Sequence, residues 1–122
     1  IRLTVDWQPD LPEIPVDARL MYQVFVNLIK NGLEAVADGE SLTVTGELID
    51  HRLRIVVADT GVGMDREVAD RIFEPFYTTK GKKGTGLGLS VVRTVVEAHR
   101  GRITCDSQRG KGTRFTIDLP VR

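Results

Sequence analysis

The chain of 122 residues contains one cysteine and no formal net charge, because 17 basic residues balance 17 acidic residues. A single cysteine excludes an internal disulfide and favours a reducing compartment. The charge balance provides no global field that would attract nucleic acid or an anionic membrane. No apolar run has the length of a membrane-spanning helix, and no signal-peptide pattern opens the sequence.

What is present is the composition of one compact domain, with 41% hydrophobic and 28% charged residues. We therefore expect residues 1–122 to form a single domain with a buried core. The chain begins at Ile1 within an alternating pattern, so we expect it to be part of a longer protein. We expect this domain to be cytoplasmic, and an anchor in the inner membrane stays open for the parent protein. Cys105 is expected to be a small buried residue on a strand.

Periodicity and turn residues predict five strands and three helices. The strands are expected at residues 1–7, 42–49, 52–59, 102–107 and 113–119. The helices are expected from Asp17 to about Ala37, from about Asp65 to Phe73 and from about Leu87 to Arg100. A tight turn at Asp50-His51 joins the second and third strands. This order predicts an α+β fold of two layers with a mainly antiparallel sheet.

A polar line runs along the first long helix. Gln23, Asn27 and Asn31 recur every four residues and therefore share one helix face. Asparagine is a poor residue inside a helix, since its amide competes for backbone hydrogen bonds. A solvated helix face would explain the line, and so would a site for Mg²⁺, which accepts amide oxygen as a ligand.

Two glycine-rich segments follow. Asp59 to Gly63 (D-T-G-V-G) ends the expected central strand, where a carboxylate can accept a proton from a flat amine-bearing ring; the same pattern is also an ordinary turn. Gly84 to Ser90 (G-T-G-L-G-L-S) opens directly into a helix, whose first N–H groups can bind an anion; a flexible hinge is the alternative. Neither segment has the pattern of a dinucleotide fingerprint or a P-loop.

The segment from Glu74 to Gly86 contains Pro75, three glycines and three lysines. This composition is typical of a mobile basic loop rather than a packed element. Lys80, Lys82 and Lys83 could neutralise the charge of a bound anion there.

In this order the motifs resemble those of sensor histidine kinases, from about residue 17 to residue 120. Asn27 to Asn31 is similar to the N box of that family, Asp59 to Gly63 to its first glycine box, and Gly84 to Ser90 to its second. Residues 72–80 (I-F-E-P-F-Y-T-T-K) resemble its phenylalanine box, and residues 110–120 its closing motif. The resemblance implies the Bergerat ATP-binding fold, a mixed sheet with three helices on one face and an ATP lid at about residues 74–86.

The resemblance also implies roles for single residues. Asp59 would accept from the adenine amine, and Thr113 would hold a water shared by Asp59 and adenine. Asn31 would bind Mg²⁺, with Asn27 beside it near the phosphates. The residues implied around ATP are Asn31, Lys30, Asp59, Gly61, Gly63, Met64, Phe76, Lys80, Gly84, Thr85, Gly86, Leu87, Gly88 and Thr113. Asn27, Asn31 and Lys80 would serve the transfer itself, and Phe73 with Phe76 would anchor the lid, unless Phe73 belongs to the core.

Two departures from the family pattern lie just after the asparagines. Glu34 and Ala35 stand where many members have lysine and tyrosine. Gly32 stands where they have alanine, and glycine is less favourable than alanine in a helix by about 1 kcal/mol. Arg100-Gly101 replaces an expected pair of glycines. The substrate histidine is not expected in this chain, because His51 lies in a turn and His99 at a helix end, where a charged ring would favour the helix dipole.

The resemblance implies that the chain transfers the γ-phosphoryl group of ATP to a histidine on a separate dimerisation domain, absent here. It implies a response regulator as the further partner of the parent homodimer, and an isolated domain that is monomeric and inactive toward histidine alone. Three alternatives remain: an ATP-driven clamp of the gyrase, chaperone or mismatch-repair type, an anti-sigma serine kinase, and a degenerate interaction module without catalysis, which the intact Asn31, Asp59 and lid glycines argue against. A clamp would carry a glutamate as general base where this chain has Asn27, and an amide cannot take a proton.

Overall fold

A computed structural model describes residues 2–7, 16–36, 40–74 and 88–120. Its elements are β1 (Arg2–Trp7), α1 (Ala18–Ala35), β2 (Ser41–Ile49), β3 (Arg52–Asp59), α2 (Arg66–Ala69), α3 (Gly88–Ala98), β4 (Arg102–Gln108) and β5 (Gly112–Pro120). The five predicted strands are confirmed, with ends that shift by at most one residue. Apart from Glu74, the predicted lid lies outside the described residues.

The five strands form one sheet in the order β1-β2-β3-β5-β4. β1 pairs with β2 in parallel, and the other three pairs are antiparallel. The sheet is therefore mixed and mainly antiparallel, as predicted, with β3 at its centre. Asp50 and His51, both at positive φ, join β2 to β3 in a two-residue turn of the kind whose twist matches a hairpin.

One face of the sheet is apolar, and it lies under the helices. Its cross-strand rows are Val44–Val57–Phe115–Cys105, Gly46–Ile55–Ile117–Ile103 and Leu48–Leu53–Leu119. Burial of alternate residues on β2, β3 and β5 follows from the period of two in a strand. Burial raises the pKa of the Cys105 thiol to about 12, helped by Asp106 and Asp59, so the thiol is protonated at neutral pH.

The opposite face of the sheet is polar. One row across four strands alternates in charge, from Glu47 to Arg54, Asp118 and Arg102. Arg54 Nε lies 3.3 Å from Asp118 Oδ1. Opposite charges on neighbouring strands are favourable cross-strand pairs, so this face is stable in water without a covering layer.

Helix α1 begins after Asp17, whose Oδ1 accepts from the backbone N–H groups of Arg19 (3.0 Å) and Leu20 (3.2 Å). The predicted cap is therefore confirmed. The helix buries Met21, Val24 and Leu28 against the sheet and against α3. It ends at Ala35, two residues before the predicted end.

Helix α3 contributes Val92, Val95 and Val96 to the same core. It ends in a Schellman motif, in which Gly101 N–H donates to Val96 O (2.9 Å) and Arg100 N–H donates to Glu97 O (3.0 Å). Arg100 occupies the left-handed position of this motif at φ +62°. Glycine is the usual residue there, because it has no Cβ to strain.

The prediction for α2 was too long. The helix spans Arg66–Ala69 and continues as turns through residue 73, whereas Asp65 to Phe73 was expected. The physical reason lies at the C-terminal end: beyond Asp70 the N–H groups bond three residues back, from Arg71 to Val68 O and from Glu74 to Arg71 O, so turns replace the α-helix. At the start of the helix, Asp65 makes no side-chain capping bond and instead accepts from Arg109 at 2.8 and 2.7 Å. Phe73 packs edge-on against the buried Phe115 at 6.2 Å between ring centroids, so it belongs to the core. The alternative role of Phe73, anchoring the lid together with Phe76, depends on residues outside the described ranges.

Gly32 lies where α1 crosses β2. A methyl group at this position would come within 2.7 Å of Leu42 Cδ1, and Leu42 is fully buried. The glycine therefore lets α1 approach the sheet closely, which offsets its low helix propensity. None of the helices in the described ranges combines the length and hydropathy needed to cross a bilayer.

Candidate functional site

The last row of the helix-facing side of the sheet is polar. Its polar members are Asp59 on β3, Thr113 on β5 and Ser107 on β4, and the apolar Leu42 on β2 lies beside Asp59 at the end of the row. Asp59 and Thr113 are the buried polar side chains of the described residues, 8% and 6% exposed. A buried polar row at the end of an apolar face is expensive unless its groups are paired, so their hydrogen bonds indicate what the site is built to do.

Asp59 is held by backbone donors. Its Oδ1 accepts from the N–H of Gly61 at 2.9 Å and from the N–H of Thr113 at 3.3 Å. No other hydrogen bond joins Asp59 to the described residues, so Oδ2 has no donor among them. Burial raises the pKa of Asp59 above its ordinary value of 3.8, while the two backbone bonds lower it and Glu40 adds a smaller increase.

Two glycines let the backbone close around Asp59. A Cβ on Gly112, at φ +105°, would lie 2.0 Å from the backbone oxygen of Asp59. A Cβ on Gly63, at φ +69°, would lie 2.0 Å from the backbone oxygen of Gln108. Both positions therefore exclude any side chain, on grounds of space and of backbone conformation. Gly61 is buried beside them.

The loop that follows Asp59 is fastened to the β4–β5 hairpin at three points. Gly110 N–H donates to Val62 O at 2.7 Å, and Met64 N–H donates to Ser107 Oγ at 2.8 Å. Arg109 and Asp65 form the bidentate ion pair described above. On its other side, the N–H of Thr60 donates to Ser41 O at the start of β2 at 3.0 Å, and the N–H of Ser41 donates to Thr60 Oγ1 at 2.9 Å.

Helix α1 brings its asparagines to the same end of the sheet. Asn27 and Asn31 are half-buried, whereas Gln23 and Lys30 are exposed. Asn27 Oδ1 lies 3.6 Å from the position of a Cβ on Gly88, the first residue of α3. Gly32, next to Asn31, contacts Leu42, which is the strand neighbour of Asp59. The structure thus brings Asn27 to the first residue of α3 and packs the residue after Asn31 against the strand neighbour of Asp59.

A cavity of about 800 Å³ opens beside the polar row. Asp59, Thr113, Ser107 and Met64 contribute to its wall, together with the basic residues Arg66, Arg109, Lys111 and Arg114. Within the described ranges, no three histidine, cysteine, aspartate or glutamate side chains lie close enough to hold a metal ion together.

Several residues predicted for the site lie outside the described residues, so the structure does not test them. They are Phe76, Lys80, Gly84, Thr85, Gly86 and Leu87. Conversely, Ser107 was not predicted for the site although it bonds both Met64 and Thr113. The predicted turn at Gly110 to Gly112 would have set Arg109 opposite Thr113; the observed turn is centred on Gly110 and sets Ser107 there, so the register of this hairpin is the signal that was missing.

Comparison with known proteins agrees with this geometry. Residues 16–122 match the model of the histidine kinase-, DNA gyrase B- and HSP90-like ATPase family. Sporulation kinase E of Bacillus subtilis is 42% identical over 100% of this chain and 16% of its own length. Sensor histidine kinase ZraS of Escherichia coli K12 is 41% identical over 99% of this chain and 26% of its own length. The chain thus spans between a sixth and about a quarter of these curated relatives.

The fold is similar to solved structures as well. The nucleotide-free catalytic domain of histidine kinase ThkA superposes with a TM-score of 0.86 at 30% identity, over 98% of this chain and 78% of that one. The predicted α+β architecture, including its mixed sheet, is therefore confirmed. From the family match and from this likeness, we conclude that the chain belongs to the histidine kinase-, DNA gyrase B- and HSP90-like ATPases and has the fold of a histidine kinase catalytic domain.

Proposed function

We propose that this chain is the ATP-binding catalytic domain of a sensor histidine kinase, and that it transfers the γ-phosphoryl group of ATP to a histidine on a separate domain. The observation that carries the proposal is the buried carboxylate of Asp59, whose Oδ1 is fixed by two backbone donors while Oδ2 has no donor among the described residues. Such a group can read a flat ring that carries an amine.

Adenine fits the chemistry of this row. Its exocyclic amine donates hydrogen bonds, and the Asp59 carboxylate accepts them. Gly61, Gly63 and Met64 follow Asp59 on the fastened loop and would line the base pocket. An amine facing the carboxylate would restore part of the solvation that burial removes from Asp59.

Mg²⁺ fits the donors on α1 as a partner of the nucleotide rather than as a resident ion. Asn31 would offer an amide oxygen and the phosphates would supply further ligands. Asn27 and the N-terminus of α3 at Gly88 lie together, which supports a phosphate position there. Lys30, Lys80 and the segment from Gly84 to Leu87 are proposed to complete the phosphate contacts, with Phe76 holding the lid over residues 74–86.

The absence of an acid from the proposed phosphate position favours a kinase over a clamp ATPase. Asn27 has an amide where a clamp needs a base to activate water, so water attack should be slow. Phosphoryl transfer needs positioning and charge neutralisation more than covalent chemistry, and a nucleotide-binding domain can therefore act on an acceptor that another domain supplies. The proposed partners are a dimeric phosphoacceptor domain and a response regulator, in the cytoplasm.

The direct test is calorimetric titration of the purified chain with ATP, with and without Mg²⁺. We expect Asp59→Asn to weaken ATP binding by more than about 1 kcal/mol, because a donor then faces a donor. Asp50→Asn, in the exposed turn at the other end of β3 from Asp59, is the matched control and should leave the affinity unchanged. Asn31→Ala should weaken binding only when Mg²⁺ is present.

Transfer is tested by mixing the chain with its phosphoacceptor domain and γ-labelled ATP. The expected product is an acid-labile, base-stable phosphorylated protein, as phosphohistidine is. Rapid ATP hydrolysis by the chain alone would favour the clamp, and phosphoserine on an antagonist would favour the serine kinase. Failure of the chain to bind ATP at all would refute the proposal.

A further inference from the structure

Ser107 is the last member of the polar row and the residue closest to Thr113 on the neighbouring strand. Its Oγ lies 2.8 Å from Thr113 Oγ1 and 3.1 Å from the backbone oxygen of Gly112. It also accepts from the N–H of Met64 at 2.8 Å. Ser107 therefore connects the loop after Asp59 with the threonine beside Asp59.

The proton of Ser107 has two possible acceptors. Because Met64 already donates to Oγ, Ser107 can direct its own proton either to Gly112 O or to Thr113 Oγ1. In the first case Thr113 must donate to Ser107, and only a lone pair of Thr113 is left for a ligand. In the second case Thr113 accepts from Ser107 and keeps its own proton for the ligand.

These two arrangements present opposite chemistry to a base in the pocket. Adenine has an amine donor beside the ring acceptor N1, so it requires an acceptor and, next to it, a donor. Asp59 supplies the acceptor, and Thr113 can supply the donor, directly or through a water, when Ser107 donates to it. Guanine has the reverse pattern at these two atoms.

We propose that Ser107 is a positioning residue that determines base specificity, because it orients the Thr113 hydroxyl so that its proton reaches the acceptor N1 of adenine. This inference rests on the proposed function, since it takes an adenine nucleotide as the ligand. Ser107 itself need not touch the nucleotide.

Loss of the Ser107 hydroxyl should not release the loop. The bond from Gly110 to Val62 and the ion pair of Arg109 with Asp65 fasten the same loop independently. The role of Ser107 in specificity can therefore be separated from any role in folding.

The test compares ATP with 1-deaza-ATP, which keeps the amine and lacks the N1 acceptor. Dissociation constants of both Mg²⁺ complexes are measured for the original chain, Ser107→Ala and Ser107→Thr, with Thr104→Ala on the exposed face of β4 as control. For the original chain we expect ATP to bind about tenfold more tightly than 1-deaza-ATP, the value of one well-placed hydrogen bond. Ser107→Ala should reduce this ratio to about twofold, and Ser107→Thr and Thr104→Ala should preserve it.

A purely structural role for Ser107 would weaken both ligands equally and leave the ratio unchanged, which would overturn the inference. If the original chain bound ATP and 1-deaza-ATP equally tightly, the inference would also be overturned. The proposed function would still stand in that case, because the chain would bind ATP. No ATP binding by the original chain would remove both. If Ser107→Ala does not fold, Ser107→Cys replaces it, because a thiol of similar size is a weak hydrogen-bonding group. When Thr113 is already replaced by valine, adding Ser107→Ala or Ser107→Cys should not change the preference for ATP over 1-deaza-ATP any further.

Discussion

His99 and Asp17 are joined by a hydrogen bond that links the end of α3 to the beginning of α1. The backbone N–H of Asp17 donates to His99 Nε2 at 3.0 Å, and His99 Nδ1 lies 2.8 Å from Val95 O. Since Nε2 must accept, Nδ1 carries the proton and donates to Val95. The ring is therefore neutral and half-buried, which corrects the interpretation of His99 as a charged group at the helix end.

The first prediction concerns this link. Replacing His99 with alanine removes two hydrogen bonds, so we expect His99→Ala to lower the free energy of unfolding by about 1–2 kcal/mol. Urea denaturation followed by circular dichroism measures the change. His51→Asn is the control, because His51 is exposed in a turn at positive φ, a conformation that asparagine tolerates. Equal effects of the two substitutions would show that the link contributes nothing to stability.

A second prediction concerns Asp59 and pH. Because burial raises its folded-state pKa above 3.8, the folded chain binds this proton more tightly than the unfolded chain does. The resulting stability is fully present below pH 3.8 and is lost as pH rises through the raised pKa. Asp59→Asn removes this loss, so the variant should gain stability relative to the original chain as pH rises.

The measurement for Asp59 is urea denaturation at a series of pH values for both proteins without nucleotide. Asp70→Asn, which changes an exposed carboxylate, is the control and should show no such trend. A relative stability of Asp59→Asn that falls with rising pH would contradict the sign. With the binding defect expected above, this variant would be the more stable protein and the poorer ligand binder, as is common for groups kept for function.

The third prediction uses two glycines of one turn. Gly110 and Gly112 are both at positive φ, +84° and +105°, but only Gly112 lacks space for a Cβ. Gly110→Ala should cost about 1 kcal/mol from backbone strain alone. Gly112→Ala should cost at least about 2 kcal/mol more, because its methyl group would collide with the backbone of Asp59. Thermal unfolding compares the two, and similar losses would argue against close approach at Gly112.

A fourth prediction concerns the end of α3. Arg100 holds the left-handed position of the Schellman motif, so Arg100→Gly should raise the free energy of unfolding by about 0.5–1 kcal/mol. Arg100→Ala keeps the strain and is the matched control. If alanine stabilised the chain as much as glycine, the gain would come from loss of the arginine side chain and not from φ. Chemical denaturation of the three proteins decides between these causes.

Local patterns were sufficient to predict most of the elements. The strands alternate with a period of two, Asp17 marks the start of α1, and Asp50-His51 marks a turn, because each of these signals depends on neighbouring residues. The end of α2 was not predictable in this way. The helix starts after Asp65 as expected, but its backbone bonds change to tight turns after Asp70, and Phe73 packs on Phe115, which is distant in the sequence.

The candidate site shows the same division. Asp59 and the asparagines of α1 were recognisable because unusual residue types stand at helical or strand-end spacing. Ser107 was not, because a serine on an edge strand is ordinary and acquires its role only from the pairing of β4 with β5. Likewise, the sequence shows Gly32 as a loss of helix propensity, and only the packing against Leu42 gives the reason for it.

The contact between Gly32 and Leu42 also fixes a distance that matters to the proposed chemistry. Leu42 is the strand neighbour of Asp59, and Asn31 directly precedes Gly32. The distance between Asn31, the proposed metal ligand, and Asp59, the proposed base-binding carboxylate, therefore depends on how closely the helix backbone at Gly32 packs against the Leu42 side chain. A bulkier residue at position 32 would raise the helix and separate the two ends of a bound nucleotide's footprint, although neither Asn31 nor Asp59 had been altered.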